Sequence, residues 1–294
     1  MSSQEWADLP GMRQHVELGS LTTYGRGGRA RWFLSPVGSD ALDGLKVPAE
    51  IPVLVLGRGS NLLVADTGFA GLVIHVGQHL SDMTFDTTHV YAEGGVALPV
   101  LARAAASRST GGLGFFVGIP GSVGGAVAMN AGCFGREVTD VLVDAHVHDL
   151  RSGESEVRTA SSFEFGYRHA KLGSDELVMS ARFSVSPAPE ATLKQELREV
   201  TRWRRDNQPG GTRNAGSVFK NPDGDSAGRI IDSLGLKGLT VGGASVSEKH
   251  ANFFVVGPDG VAQDVFDLIT LVASRVLEAT EMQLVPEIRL VGFE

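Results

Sequence analysis

The sequence predicts a soluble α+β fold built from more than one unit. Three observations lead there. The chain has 294 residues, more than one small core usually organises when a typical domain holds about 150. Its apolar fraction is 42% and its charged fraction 20%, the balance of a globular chain and not of a disordered or fibrous one. Strand-like and helix-like patterns both occur but do not alternate strictly, which argues against a doubly wound parallel sheet.

The elements follow in order. Residues 51–56 (IPVLVL) form an apolar, β-branched run suited to a buried strand, and residues 71–76 (GLVIHV) form another. Residues 97–107 are rich in Ala and Leu and read as a helix. Residues 141–150 alternate, with Val141, Val143, Ala145 and Val147 on one face and Asp144, His146 and His148 on the other. Residues 177–185 and 252–256 also read as strands. Leu193, Leu197 and Val200 stripe a charged helix that ends near Arg205. Val265, Leu268, Ile269, Val272 and Val276 mark a well-formed amphipathic helix. Residues 184–192 (SVSPAPEAT) are the best linker, and residues 284–291 supply a closing strand.

The net charge of −8 argues against general affinity for nucleic acid or an anionic membrane. The apolar stretches fall short of a bilayer span, and the opening MSSQEWADLPGM has no signal-peptide pattern. A cytoplasmic location is expected. Cys133 is the single cysteine, which excludes an internal disulfide framework and a multi-cysteine metal site. Asp144, His146 and His148 could ligate a metal, but no further ligand cluster accompanies them. A solvated strand face is the expectation, and no metal site is assigned.

Glycine is the compositional outlier, 38 of 294 residues, against a usual level of about 7%. The glycines are clustered. Gly57-Arg58-Gly59-Ser60-Asn61 follows a strand, as a phosphate-binding turn should. It is not the dinucleotide fingerprint, because Leu62 stands at the sixth position. A plain glycine-rich hairpin turn explains it equally well. Gly118-Ile119-Pro120-Gly121-Ser122-Val123-Gly124-Gly125-Ala126, followed by Met129-Asn130-Ala131-Gly132, is harder to explain as a turn. So many glycines carry a heavy entropic cost, which a ligand lying against the backbone would offset.

Taken together, LGRGSNLLVADTGFAGLVI, GIPGSVGGAVAMNAGCFG, FGYRHAKL, NAGSVFKNP, GLKGLTVGGASVSEKHANFFVV and VPEIRLVG resemble the motif series of the UDP-N-acetylenolpyruvoylglucosamine reductase (MurB) family. They occur in the family's order from about residue 20 to residue 292. The resemblance implies an α+β fold of the vanillyl-alcohol-oxidase type. Residues 1–76 and 77–190 would be two FAD-binding subdomains, and residues 191–294 a substrate domain whose last strand returns to the active site. It implies non-covalent FAD, NADPH as reductant, and reduction of UDP-N-acetylglucosamine enolpyruvate to UDP-N-acetylmuramate in peptidoglycan synthesis. A monomer is the expected state.

The resemblance also implies roles for residues. Gly57, Gly59, Ser60, Asn61, Gly118, Ile119, Pro120, Gly121, Ser122, Gly124, Gly125 and Ala126 would cradle FAD. Arg168 matches the catalytic Arg, suited to a carboxylate that gains charge during hydride addition. Ser217 matches the proton donor, which needs hydrogen-bonded support because a hydroxyl is a poor acid alone. Glu287 matches the catalytic Glu near the C-terminus. Tyr167, Lys220 and Asn221 would contact substrate. Cys133 reads as a small buried residue and not a flavin attachment point, and His250 as a packing residue.

Two departures stand out. The short stretch between Arg168 and Ser217 resembles the subtype that lacks an inserted loop carrying a substrate-covering Tyr, and Asn207 and Gln208 stand where the longer subtype has Lys. Gly114-Phe115-Phe116 stands where the family more often has Gly-Leu-Glu, so aromatic packing is expected in place of an ion pair. A related FAD oxidase of small alcohols or carbohydrates would share the glycine motifs but not NAGSVFKNP. A non-catalytic protein of the same fold would not need Arg168, Ser217 and Glu287 together.

Overall fold

The computed structural model describes residues 9–77 and 79–293. Residues 1–8 of the segment read as lacking a signal pattern lie outside them. The chain divides into two compact units with interleaved segments. The first takes the described residues of Met1–Gln14, Trp32–Arg58 and Gly71–Arg204, and the second takes His15–Arg31, Gly59–Ala70 and Arg205–Glu294. The contiguous boundaries 1–76, 77–190 and 191–294 therefore do not follow these units.

The first unit holds two hydrophobic cores. One lies under the first-unit residues of a four-stranded sheet of order β1 (Met12–Glu17), β2 (Arg29–Leu34), β5 (Phe69–His75) and β3 (Val53–Leu56). The 51–56 and 71–76 runs are its β3 and β5, which pair in parallel from Val53↔Leu72 to Leu56↔His75. Their apolar residues join Trp32, Leu150, Leu177 and Met179 in the core.

The second core lies against an antiparallel five-stranded sheet. Its order is β9 (Ser155–Thr159), β8 (Leu142–Asp149), β10 (Glu176–Ser184), β7 (His89–Glu93) and β6 (Met83–Phe85). Helix α1 (Leu98–Ala106) carries Pro99 in its first turn, where no intrahelical N–H is required. It buries Leu98, Leu101, Ala102, Ala105 and Ala106, one face at helical spacing. A short helix α2 (Val123–Met129) lies within the glycine cluster. Helix α3 (Glu190–Asn207) inserts Leu193, Leu197 and Val200 into the same core. The chain leaves the first unit within this helix, after Arg204. Phe115 and Phe116 are buried here, Phe116 edge-on to Phe183 at 5.4 Å between ring centroids. This is the aromatic packing expected of the Gly-Phe-Phe departure.

On β8, Asp144 is half-buried and pairs with Arg182, and the solvated-face expectation fails outright for His148. Its ring is 1% exposed, with Nδ1 2.8 Å from Ser155 Oγ and Nε2 3.1 Å from the Leu45 carbonyl. The pairing of β8 with β10 has two register shifts, so simple alternation does not run through the strand. Among the described residues no group of three or more His, Cys, Asp or Glu side chains is arranged to hold a metal.

The second unit is organised by helix α5 (Ala262–Thr280), after the short helix α4 (Ala227–Ser233). The buried face of α5 runs through Val265, Leu268, Ile269, Val272 and Val276. Asp66 caps its N-terminus, accepting from Ala262 N at 3.1 Å and Gln263 N at 3.0 Å. Arg26 ties its own segment down by donating to the carbonyls of Gly25, Gly257, Pro258 and Gly260. A three-stranded antiparallel sheet of order β11 (Thr240–Val241), β12 (Ala244–Val246) and β13 (Phe254–Val256) lies against α5. The closing strand β14 (Arg289–Val291) runs parallel to β4 (Leu62–Val64). The 284–291 strand is thus shorter than expected, because Pro286 lacks the N–H a ladder needs. No helix among the described residues is long and apolar enough to cross a membrane.

Candidate functional site

The glycine cradle lies in the first unit. Residues 114–118 form a short helical turn, and α2 follows after Ser122. Gly118 is enclosed by protein: a Cβ there would lie 2.6 Å from Cys133 Sγ and 3.0 Å from Val200. The Arg204 guanidinium donates to its carbonyl. Gly124 is likewise closed, with the Val178 and Gly94 carbonyls 3.1 and 3.2 Å from a Cβ. Close packing, by side chains at Gly118 and by backbone at Gly124, therefore already accounts for two of the glycines. Ile119 is half-buried and Pro120 exposed. Gly121 accepts from Leu98 N at 3.0 Å. Gly125 is exposed, whereas Ala126 is buried in the core.

Ser122 is different. It is 2% exposed, and its Oγ has no hydrogen-bond partner among the described residues. A Cβ on Gly57 would collide with this Oγ, so the structure brings Gly57 and Ser122 together. A buried hydroxyl without a partner is uncommon in a folded protein. Here it fits a bound polar group, and the close approach of Gly57 keeps it clear of side chains. The residues present therefore suit the diphosphate or ring edge of FAD.

Arg168 also lies in the first unit, in a turn closed by mutual hydrogen bonds between Gly166 and His169 at 3.0 and 3.1 Å. Its Nη1 is 3.6 Å from Glu137 Oε1, and its Nη2 donates to the Gly132 carbonyl at 3.4 Å. Its guanidinium carbon sits 4.9 Å from the ring centroid of Tyr167, which is exposed. Burial pushes the half-buried Cys133 thiol up and the Arg204 guanidinium down.

Gly59, Ser60, Asn61, Ser217, Lys220, Asn221 and Glu287 lie in the second unit. Gly59 has φ +59°, and a Cβ would meet the Leu21–Thr22 backbone, so the turn requires glycine without a ligand. Ser60 is half-buried. Asn61 Nδ2 donates to the Glu287 carbonyl at 3.0 Å, and Arg289 N donates to the Asn61 carbonyl at 3.0 Å. Glu287 N donates to the Val218 carbonyl at 2.7 Å, and Lys220 N to the Val285 carbonyl at 2.8 Å. These bonds set the Ser217 segment beside the Glu287 segment. The Asn221 side chain accepts from Ala227 N at 3.1 Å and so helps to start α4.

Asn252, outside the sequence assignments, holds the Ser217 segment. It is 2% exposed; its side chain accepts from Phe219 N at 2.9 Å and donates to the Phe219 carbonyl at 2.8 Å. Its own carbonyl accepts from Val218 N at 2.8 Å. The His250 ring lies tilted against Phe253, 4.7 Å between centroids, and accepts from Asn252 N at 3.2 Å, a packing position. Asp66 at the start of α5, and Asn130 and Glu137 beside the Arg168 turn in the first unit, also lie outside the sequence assignments. Asn130 falls within GIPGSVGGAVAMNAGCFG, and nothing in sequence spacing separates it from a loop Asn.

Comparisons with known proteins match both parts of the chain. A family described as "FAD binding domain" matches residues 47–157, so the chain carries an FAD-binding domain. A family described as "UDP-N-acetylenolpyruvoylglucosamine reductase, C-terminal domain" matches residues 208–291. The UDP-N-acetylenolpyruvoylglucosamine reductase of Synechococcus sp. (strain WH7803) is 40% identical, over 96% of this chain and 94% of the relative. That of Parvibaculum lavamentivorans is 40% identical, over 94% and 89%. The crystal structure of the Thermus caldophilus UDP-N-acetylenolpyruvylglucosamine reductase superposes with a TM-score of 0.82 at 37% identity, covering 95% of this chain and 99% of that one. The chain belongs to the UDP-N-acetylenolpyruvoylglucosamine reductase family.

Proposed function

We propose that the protein is an NADPH-dependent FAD enzyme that reduces UDP-N-acetylglucosamine enolpyruvate to UDP-N-acetylmuramate for cytoplasmic peptidoglycan synthesis. One observation carries the reading. Backbone hydrogen bonds join the Ser217 and Glu287 segments, in a chain matched over 96% of its length by a relative named for that reaction. FAD, when bound, supplies the hydride chemistry between reductant and substrate. Residues 1–76 and 77–190 serve the cofactor in this reading, and residues 191–294 the substrate.

Hydride addition to an enolpyruvyl double bond builds negative charge on the neighbouring carboxylate. Arg168 presents a planar guanidinium that can grip such a carboxylate at two points. Ser217 delivers a proton to the α-carbon, and Glu287 orients the hydrogen-bonding partners of that hydroxyl. Tyr167, Lys220 and Asn221 contact the UDP-sugar. Ser122 Oγ and the Gly57 backbone receive FAD. The enzyme works as a monomer. The test is direct: protein purified with FAD should oxidise NADPH rapidly only when UDP-N-acetylglucosamine enolpyruvate is present. Turnover indifferent to that compound would refute the proposal.

A further inference from the structure

Arg168 sits in an unfavourable backbone state. Its φ is +52°, a region that costs a side-chain-bearing residue about 1 kcal/mol or more and that usually selects Gly or Asn. Its turn runs from Gly166 to His169. Something must hold both this turn and the guanidinium it carries.

The hydrogen bonds around Asn130 do both. Asn130 is 1% exposed and ends α2 in a left-handed conformation, φ 43°. Its Nδ2 donates to the Gly166 carbonyl at 3.0 Å, the residue that opens the Arg168 turn. The same Nδ2 donates to Glu137 Oε2 at 2.8 Å. Its Oδ1 accepts from Thr139 N at 3.0 Å. A backbone N–H can only donate, so this last bond fixes which end of the amide is which. The other Glu137 oxygen, Oε1, faces Arg168 Nη1 at 3.6 Å. Glu137 pairs in register with Gly132, where a Cβ would come within 2.8 Å of Glu137 Cγ and 3.2 Å of Arg168 Nη1. Glycine at 132 leaves the space these two groups use.

We infer that Asn130 and Glu137 are a positioning pair for Arg168: one buried amide fixes both the turn that carries the guanidinium and the carboxylate that faces it. The inference rests on the proposed role of Arg168. Neither residue needs to touch substrate. Their effect is to remove alternative orientations of a group that must meet a carboxylate within a fraction of an ångström.

The test uses the FAD-loaded enzyme and follows flavin absorbance in two separate half-reactions. In Asn130→Ala, Asn130→Asp and Glu137→Gln, reduction by NADPH should stay within about twofold of wild type. Reoxidation by UDP-N-acetylglucosamine enolpyruvate should fall by about tenfold or more. Asn130→Asp adds a diagnostic that a merely structural role would not give. It sets two carboxylates against each other, and such a pair takes up a proton more readily than either alone. The charged groups around it are Arg168 and the neighbouring Arg136–Asp140 pair. Reoxidation in this variant should recover relative to wild type as pH is lowered, because the shared proton restores a donor. Reoxidation at the wild-type rate, equal loss in both half-reactions, or no recovery at low pH would overturn the inference. If the Asn130 variants do not fold, Glu137→Gln decides alone: it keeps an acceptor for Asn130 and removes only the charge facing Arg168. Wild-type enzyme that the substrate fails to reoxidise would overturn the functional reading itself, and this inference with it.

Discussion

The N–H of Glu287 donates to the carbonyl of Val218 at 2.7 Å, which places the proposed acid segment and the proposed carboxylate segment side by side in the second unit. The contact is short and made by backbone across a long stretch of sequence, so it does not depend on the side chains of Ser217 and Glu287. It allows those side chains to be changed without dismantling the geometry.

Ser217→Ala should therefore fold normally. Stopped-flow flavin absorbance should show NADPH reduction nearly intact and reoxidation by substrate slowed by roughly a hundredfold or more, the usual scale for a missing general acid. Equal loss in both half-reactions would make Ser217 structural.

Asn252→Ala should destabilise the second unit by about 2–4 kcal/mol, since it leaves the buried N–H and carbonyl of Phe219 without partners. Denaturant unfolding of the purified variant checks this. A loss under 1 kcal/mol would indicate that water replaces the amide.

Ser122→Ala should act on the cofactor and not on the fold. Removing an unpartnered buried hydroxyl leaves the apo protein as stable as before or slightly more so. FAD affinity should fall about tenfold, the scale of one hydrogen bond to a charged group. Titration of apo protein with FAD, alongside thermal unfolding without FAD, separates the two effects.

Acid sensitivity should come in two stages. Burial pushes His75 and His250 below the ordinary 6.5, and hydrogen bonds from Arg158 lead in pushing Glu176 below 4.5. All three are depressed in the folded state. Their contribution is complete above the unfolded value and is lost as pH falls through the folded one. Thermal midpoints should be level above about pH 7, decline below 6.5, and decline again below 4.5. Glu176→Gln should lower the midpoint at neutral pH and flatten the second stage. An unchanged second stage would show that the Arg158 pair contributes nothing.

Asp66→Ala should lower stability by about 1 kcal/mol, because two N–H groups at the start of α5 lose their acceptor. Asp66→Asn should recover part of that loss. Chemical denaturation of both variants measures it.

The sequence made some features plain and left others hidden, for physical reasons. Strands at 51–56 and 71–76 and the α5 stripe were legible because burial imposes a period on apolar residues. Helix α2 was hidden: Val-Gly-Gly-Ala-Val-Ala-Met carries two glycines and two valines and has no side-chain N-cap, and tertiary packing of Gly124 against the Gly94 and Val178 carbonyls holds it. The two-unit division was hidden because residues 15–31 and 59–70 join the C-terminal part through contacts such as those of Arg26 with Gly257 and Pro258, which no local pattern records. Arg168, Ser217 and Glu287 were legible only through the joint motif series. Asn130, Glu137 and Asn252 support them through side-chain hydrogen bonds and one ion pair, and an Asn that holds a turn looks in sequence like any other Asn.

The central claim is that one flavin passes electrons from NADPH to a UDP-linked enolpyruvyl group. Because FAD carries the hydride chemistry, the most direct measurement follows flavin absorbance in the wild-type protein through both half-reactions. Bleaching by NADPH without substrate, then full recovery on adding UDP-N-acetylglucosamine enolpyruvate under anaerobic conditions, is the expected result. A bleached flavin that stays bleached with that compound and recovers only with oxygen would contradict the account.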